Sequence, residues 1–405
     1  MKITNVRAFT IRGEFPFQGE QYMEERLVRP TDIYPEFAEM GYMADSRARA
    51  FSGTQPTEKT STSSMEITGN FLEITTDEGI TGIAPAGTSW PTIRDSLKPL
   101  LLGKDVLAIE KVWDLMYRWL VHGRKCETMI AISAVDNCLW DIIGKYRKEP
   151  VHSLLGGPVK EKIRIYASML GHSLEPNLVA KRAQEMVELG FTAQKWFFRY
   201  GPPAGVVGEK KNLELARTFR DAVGYDSELM LDCWMSWSIP YTKKMAKKLE
   251  RYELSWIEEP LMPDLIDGYS EIRAEVDTPL SGGEHEYTRW GFIEYIKRNA
   301  LDIWQPDVGW AGGISEVKKI CTLASAIGIP VVPHSGNARI SCPIWFSHNA
   351  ATSPIGEYLV KHNATAQFFY KEPLHPIKGY IHAPRQPGLG IEIDESRVLE
   401  KKYPE

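Results

Sequence analysis

Over residues 177–360 the chain repeats one rhythm, roughly every 25 residues, in which a short β-rich run precedes a stretch whose apolar positions recur at three and four. The runs IRIYASML (from Ile163), AQKWFF (Ala193), ELMLDCW (Glu228), SWIEEP (Ser255), PLSGGE (Pro279), LDIWQPD (Leu301), PVVPH (Pro330) and IGEYLV (Ile355) are predicted strands. Between them VAKRAQEMVEL, NLELARTFRDAV, TKKMAKKLERY and ISEVKKICTLASAIG put Lys, Arg and Glu on one face and apolar residues on the other, as outer helices do. Strands that alternate with helices lie parallel, and eight of them close a barrel. The predicted fold is α/β, a modified TIM barrel of (β/α)7β type over residues 159–370.

Residues 1–158 read differently, as an α+β capping domain. MKITNVRAFTIRGEF alternates like an edge strand, FLEITTDEGITGIAPAG reads as a hairpin, and helices end in AVDNCLWDIIGKYRKEPVHSLLGG. Residues 30–64 lack a sustained period and are expected to form a lid over the barrel mouth. Residues 371–405, with PGLGIEI, return to turns and short strands and are expected to pack back on the capping domain.

Composition narrows the class. In 405 residues, 43% hydrophobic and 25% charged, no apolar run is long enough to span a bilayer. The net charge of -5 comes from interspersed signs, with no basic face for nucleic acid or anionic lipid. Five cysteines without a CxxC pair suit neither a disulfide framework nor a structural zinc site, and no export signal opens the chain, so reduced thiols in cytoplasm are expected.

Chemistry enters at the strand ends. Asp232, Glu258 and Glu284 close the third, fourth and fifth predicted barrel strands at even spacing, and neighbouring parallel strands bring their carboxyl ends together at the face where barrel active sites sit. Three hard oxygen donors on rigid elements suit Mg2+ better than zinc. Glu259 is expected to face away by strand alternation or to stand behind the metal ligands. Asp307 and His334 end the sixth and seventh strands and form a candidate dyad, since a carboxylate on one imidazole nitrogen fixes the tautomer and raises basicity at the other. Glu357 on the eighth strand completes the ring. Lys195 on the second would balance charge, polarise a substrate carboxylate or act as a base. His285 and Trp234 are candidate substrate contacts, as are Arg47 and Arg49 in the lid. The remaining histidines are read as structural.

With DCWMSW, WIEEP, GGEH, QPDVGWAGG and VVPHS in place, nearly the whole chain resembles the mandelate racemase subgroup of the enolase superfamily. TTDEGITGIAPAG and SAVDNCLWDIIGKYRKEPVHSLLGG look like its capping domain and PGLGIEI like its C-terminal segment. Within the subgroup LMLDCWMS and DIWQPDVGWAGG look most like the rhamnonate dehydratases. The resemblance implies Mg2+ on Asp232, Glu258 and Glu284, a His334–Asp307 dyad, and Glu357 hydrogen-bonding a substrate carboxylate. The Lys-x-Lys pair of racemase members is here Lys195, Trp196, Phe197, so the base for the opposite face is missing. The implied reaction is dehydration of a sugar acid, an aldonate such as L-rhamnonate, to a 2-keto-3-deoxy acid. The partners expected are that small molecule and further copies of the chain. Two alternatives remain: a sugar-acid epimerase or racemase, which needs a base on each face, and a metal-binding barrel without catalysis.

Overall fold

The computed structural model describes residues 1–18, 21–38, 54–59 and 63–404. Two sheets organise it. The first is antiparallel and built from β1 (Ile3–Pro16), β2 (Thr54–Lys59), β3 (Ser64–Thr76) and β4 (Thr81–Pro85). Alternation in β3 sends Met65, Ile67 and Phe71 to one face, into the core shared with the barrel, and Leu72 and Ile74 to the other, against the helices of the first domain, and the Asp77–Gly79 turn returns the chain into β4 with Thr75 opposite Thr81. The second sheet is parallel, in the order β10 (Ile303–Trp304), β9 (Leu280–Gly282), β8 (Leu254–Glu258), β7 (Glu228–Asp232), β6 (Ala193–Phe197), β5 (Lys162–Ser168), β11 (Gly356–Leu359). A further strand, β12 (Tyr380–His382), pairs antiparallel with the start of β5.

The longer helices are α1 (Ile109–Trp119), α2 (Glu127–Arg147), α3 (Pro176–Glu188), α4 (Gly205–Val223), α5 (Ile239–Leu249), α6 (Ile266–Arg273), α7 (Thr288–Arg298), α8 (Gly313–Ala326) and α9 (Ala338–Ser347). Those after β5 follow the parallel strands as the crossover rhythm requires. Most of α2 is buried because it lies between the β3–β4 hairpin and α8, whereas an outer helix such as α5 buries one stripe, Thr242, Met245, Ala246 and Leu249.

Four expectations change. β1 is not an edge strand: β3 pairs along one side and β13 (Glu400–Lys402) covers Thr10–Arg12 on the other. The segment 30–64 is not aperiodic throughout, because β2 within it pairs with β3 from Thr54 opposite Gly69 to Lys59 opposite Met65. The predicted seventh barrel strand shrinks to one parallel bridge, Val331 to Trp304, since Pro330 and Pro333 remove two ladder donors. PGLGIEI holds no strand, only bridges at Gly388 and Ile393.

Inside the barrel one layer of side chains, Tyr166, Ala193, Met230, Trp256, Val332 and Ile355, packs as its own cluster, distinct from the core between strands and helices. Every second residue of a strand faces the same side. The layer therefore dictates what stands above it.

Candidate active site

Two residues beyond each member of that layer come Ser168, Lys195, Asp232, Glu258, His334 and Glu357; Ile303, packed against the same layer, is followed by Gln305 and then Asp307. All are at or near the carboxyl ends of the parallel strands. Ser168, Lys195, Asp232, Glu284 and His334, with Leu170, Trp196, Phe197, Trp234 and Leu359, line one open cavity of about 310 Å³.

His334 Nδ1 lies 2.6 Å from Asp307 Oδ2, whose other oxygen accepts the Gly309 amide at 2.6 Å. This fixes the ring and leaves Nε2 toward the cavity, 3.7 Å from Glu284 Oε2. Burial alone would discharge the imidazole, but the negative fields of Glu284 and Glu357 and the Asp307 hydrogen bond hold it well above the ordinary histidine range.

The acids opposite are crowded. Burial, then the charge of Glu258, pushes Asp232 well above the usual carboxylate range, and burial raises Glu284 as well. Lys195 is the cation among them, 4% exposed, bonded to Glu258 and 2.8 Å from Glu357 Oε1. Burial works against its charge, yet Glu258 and Glu357 keep it firmly protonated. Burial likewise opposes ionisation of Glu357, but Lys195 and His334 pull it below its ordinary range. The other oxygen of Glu258 accepts Trp256 Nε1 at 3.0 Å and Gln305 Nε2 at 2.7 Å. Cys233, next to Asp232, packs into the outer core instead of the cavity.

Glu259 does not face away. It is buried beside the site and accepts His285 Nδ1 at 2.7 Å and the Gly283 amide at 3.2 Å. Burial lowers the His285 pKa, but Glu259 and Glu284 together raise it to about 9. Among the described residues, possible donor atoms of Glu259, Glu284 and His285 lie within 4.8 Å of one another, whereas Glu258 is turned to Lys195. The Trp234 ring meets His285 edge-on at 5.6 Å, and Trp310 lies 5.1 Å from His334 and 5.9 Å from His285.

Sequence reasoning missed Gln305, Tyr166 and Trp310. Gln305 stands two residues above Ile303 and Tyr166 lies in the floor layer, so the period-2 pattern contained both. Arg47 and Arg49 lie outside the described residues. The segment leading to them is pinned by buried Arg26, which donates to Asp32 at 2.8 Å and to the carbonyls of Phe37 and Ala38 at 3.0 and 2.8 Å. No described helix is long and apolar enough to cross a membrane.

Comparison with known proteins identifies the family. Residues 178–397 match the enolase C-terminal domain-like family, and 47–156 match the mandelate racemase / muconate lactonizing enzyme N-terminal domain. The chain is 33% identical over 421 aligned residues to an L-rhamnonate dehydratase of Saccharopolyspora erythraea, covering 100% of this chain and 99% of that protein. The crystal structure of L-rhamnonate dehydratase from Gibberella zeae is similar with a TM-score of 0.82 at 30% identity, over 98% of this chain and 94% of that one. A structure of rhamnonate dehydratase from the same organism complexed with Mg gives 0.81 at 28% identity, over 98% and 95%.

Proposed function

Because the chain belongs to the mandelate racemase / muconate lactonizing enzyme family of the enolase superfamily, we propose that it is a Mg2+-dependent sugar-acid dehydratase that converts an aldonate such as L-rhamnonate to its 2-keto-3-deoxy acid. One observation carries the reading: the His334–Asp307 pair opens on the same cavity as Asp232, Glu284 and Lys195.

The donors fit the ion. Asp232, Glu258 and Glu284 are hard oxygens on rigid strand ends, and burial with the repulsion of Glu258 and Glu284 raises Asp232 against the opposing charge of Lys195. Mg2+, when bound by these three, supplies positive charge to the substrate carboxylate as a second negative charge develops beside it, and offsets the field that keeps His334 protonated. Lys195 and Glu357 then set the position of that carboxylate. His334 takes the C2 proton through Nε2, with Asp307 holding Nδ1–H, and returns a proton to the departing 3-hydroxyl. Water leaves, and the resulting enol becomes the keto acid. Phe197 lines the cavity at the position where a racemase needs its second base, which favours elimination over inversion.

The test is a screen of aldonic and aldaric acids with Mg2+, reading 2-keto acid with a carbonyl reagent. Turnover of at least one aldonate, abolished by chelator, is expected. Full activity in chelator overturns the metal assignment. Inversion at C2 with rapid deuterium uptake into recovered substrate in heavy water overturns the dehydratase reading.

A further inference from the structure

The base partner Asp307 sits at the start of a loop, residues 307–312, that also carries Trp310 over His334. Within the barrel this loop is held by its own turn, Ala311 N to Asp307 O at 2.8 Å, and by Thr288 N to Ala311 O at 3.0 Å. Much of what fixes it comes from the capping domain.

On α2 the residues Ser133, Asp136, Asn137 and Trp140 are spaced by three, one and three, so they share one helical face. That face meets the loop and the first turn of α8. Ser133 Oγ accepts the Gly312 amide at 2.9 Å, Asn137 Oδ1 accepts Ile314 N at 3.1 Å, and Asn137 Nδ2 donates to Val308 O at 3.3 Å. Asp136 takes Ser315 N at 2.9 Å and Ser315 Oγ at 2.6 Å, and Trp140 Nε1 donates to the same hydroxyl at 2.9 Å. From α1, Trp113 Nε1 donates to Gly312 O at 2.7 Å. The amides at the N-terminus of a helix lack partners within it, and here side chains of another domain supply them. The approach is close enough that a Cβ on Gly313, where φ is +82°, would sit 2.4 Å from Asp136 Oδ2.

We propose that Asp136 and Asn137 are positioning residues for catalysis: through the start of α8 and Val308 they fix the loop that aims Asp307 and Trp310 at His334. The capping domain thereby acts on the base from behind, separately from any part its loops take in contacting substrate. The inference rests on His334–Asp307 being the base.

The experiment compares Asp136→Ala and Asn137→Ala with Asp141→Asn in the full-length enzyme loaded with Mg2+. Asp141 is a buried acid on the same helix that accepts the amides of Ile83 and Leu389, away from this loop. Asp136→Ala and Asn137→Ala should each lower kcat about tenfold or more with KM changed less than threefold, and should speed amide hydrogen exchange over residues 307–312. Asp136→Asn keeps an acceptor for Ser315 N and should recover most of the kcat. Asp141→Asn should lower the melting temperature without changing kcat or exchange in the loop. If Asp136→Ala fails to fold, Asn137→Ala carries the test. Wild-type kcat in Asn137→Ala, or a kcat loss in Asp141→Asn proportional to its loss of stability, overturns the positioning role. Wild-type kcat in Asp307→Asn instead overturns the dyad itself, and the exchange measurement still reports whether the clamp exists.

Discussion

Two groups of buried acids differ in a way that burial does not reveal. At the barrel mouth Asp232 accepts the Trp234 amide at 2.8 Å, and Glu284 accepts the Trp234 indole at 3.3 Å. At the junction of the two domains Asp136 is bonded twice by Ser315, Asp141 accepts two amides and pairs with Lys145 at 2.6 Å, and Glu316 takes the Arg289 amide at 2.7 Å together with its guanidinium. Burial raises the pKa of Asp136, Asp141 and Glu316 just as it does at the mouth. What separates Asp232 and Glu284 from the junction acids, and from Glu258 with its bonds to Lys195, Trp256 and Gln305, is the supply of donors and what the free oxygens face. Saturated carboxylates bind protein to protein; under-supplied carboxylates that look into a cavity are left for a cation or a substrate.

The largest expected effect lies in the mouth. His334→Asn should keep the fold and bind substrate but lose kcat by about a thousandfold or more, because one group both removes and returns the proton. Steady-state kinetics with a parallel binding measurement checks this. A variant that turns over like wild type would move the base elsewhere, with Lys195 the first suspect.

Asp232→Asn and Glu284→Gln should come next in effect, each weakening Mg2+ binding by about a hundredfold or more while leaving the melting temperature of the metal-free protein unchanged or raised. The sign follows from the contrast: neutralising an acid already short of donors relieves repulsion. Calorimetric titration and thermal melts read both quantities. A large fall in stability without loss of metal affinity would place these acids with Asp141.

Glu259 stands between the two groups, saturated like the junction acids yet bonded to a side chain of the mouth. Glu259→Gln removes the charge that helps raise His285 to about 9, so the His285 titration should move down, and kcat/KM should fall about tenfold to a hundredfold. Imidazole resonances followed by NMR in the metal-free protein give the first quantity. An unmoved His285 would leave Glu284 as the source of its basicity.

Much of this was legible in the sequence because a parallel strand is a ruler. A side chain two residues above a buried apolar one stands at the mouth, and Lys195, Asp232, Glu258, His334 and Glu357 all occupy that position. Gln305 obeys the same rule, but an amide carries no charge to mark it as chemistry in the sequence. The lock between Lys195 and Glu258 depends on rotamers, and strand periodicity is silent about them. The β13–β1 pairing joins residues nearly the whole chain apart, and β2 carries no alternation of its own, so neither left a local signal. Of the two readings of Glu259, the one based on alternation fails because its φ of +39° ends the strand, which leaves the one that stands it behind the site.

The smallest effect concerns how stability responds to pH at the junction. Burial raises the Asp136 pKa from 3.8 to about 7, against the opposing hydrogen bonds from Ser315. Unfolding returns it to the ordinary value. Below about pH 4 both states hold the proton and Asp136 contributes no pH dependence. As pH rises toward about 7 the unfolded chain gives up its proton while the folded one keeps it, so stability falls across that window and levels off once the folded form has ionised as well. Each pKa unit corresponds to about 1.4 kcal/mol, which makes the full change on the order of a few kcal/mol, and part of it lies between pH 5 and 7. Asp136→Asn has no such titration. Its melting temperature relative to wild type should therefore climb by a few degrees from pH 5 to pH 7 and stay level from pH 8 upward. A difference that stays flat across pH 5 to 8 would mean that Asp136 is ionised throughout, with Ser315 and the start of α8 strong enough to hold a full charge in the junction.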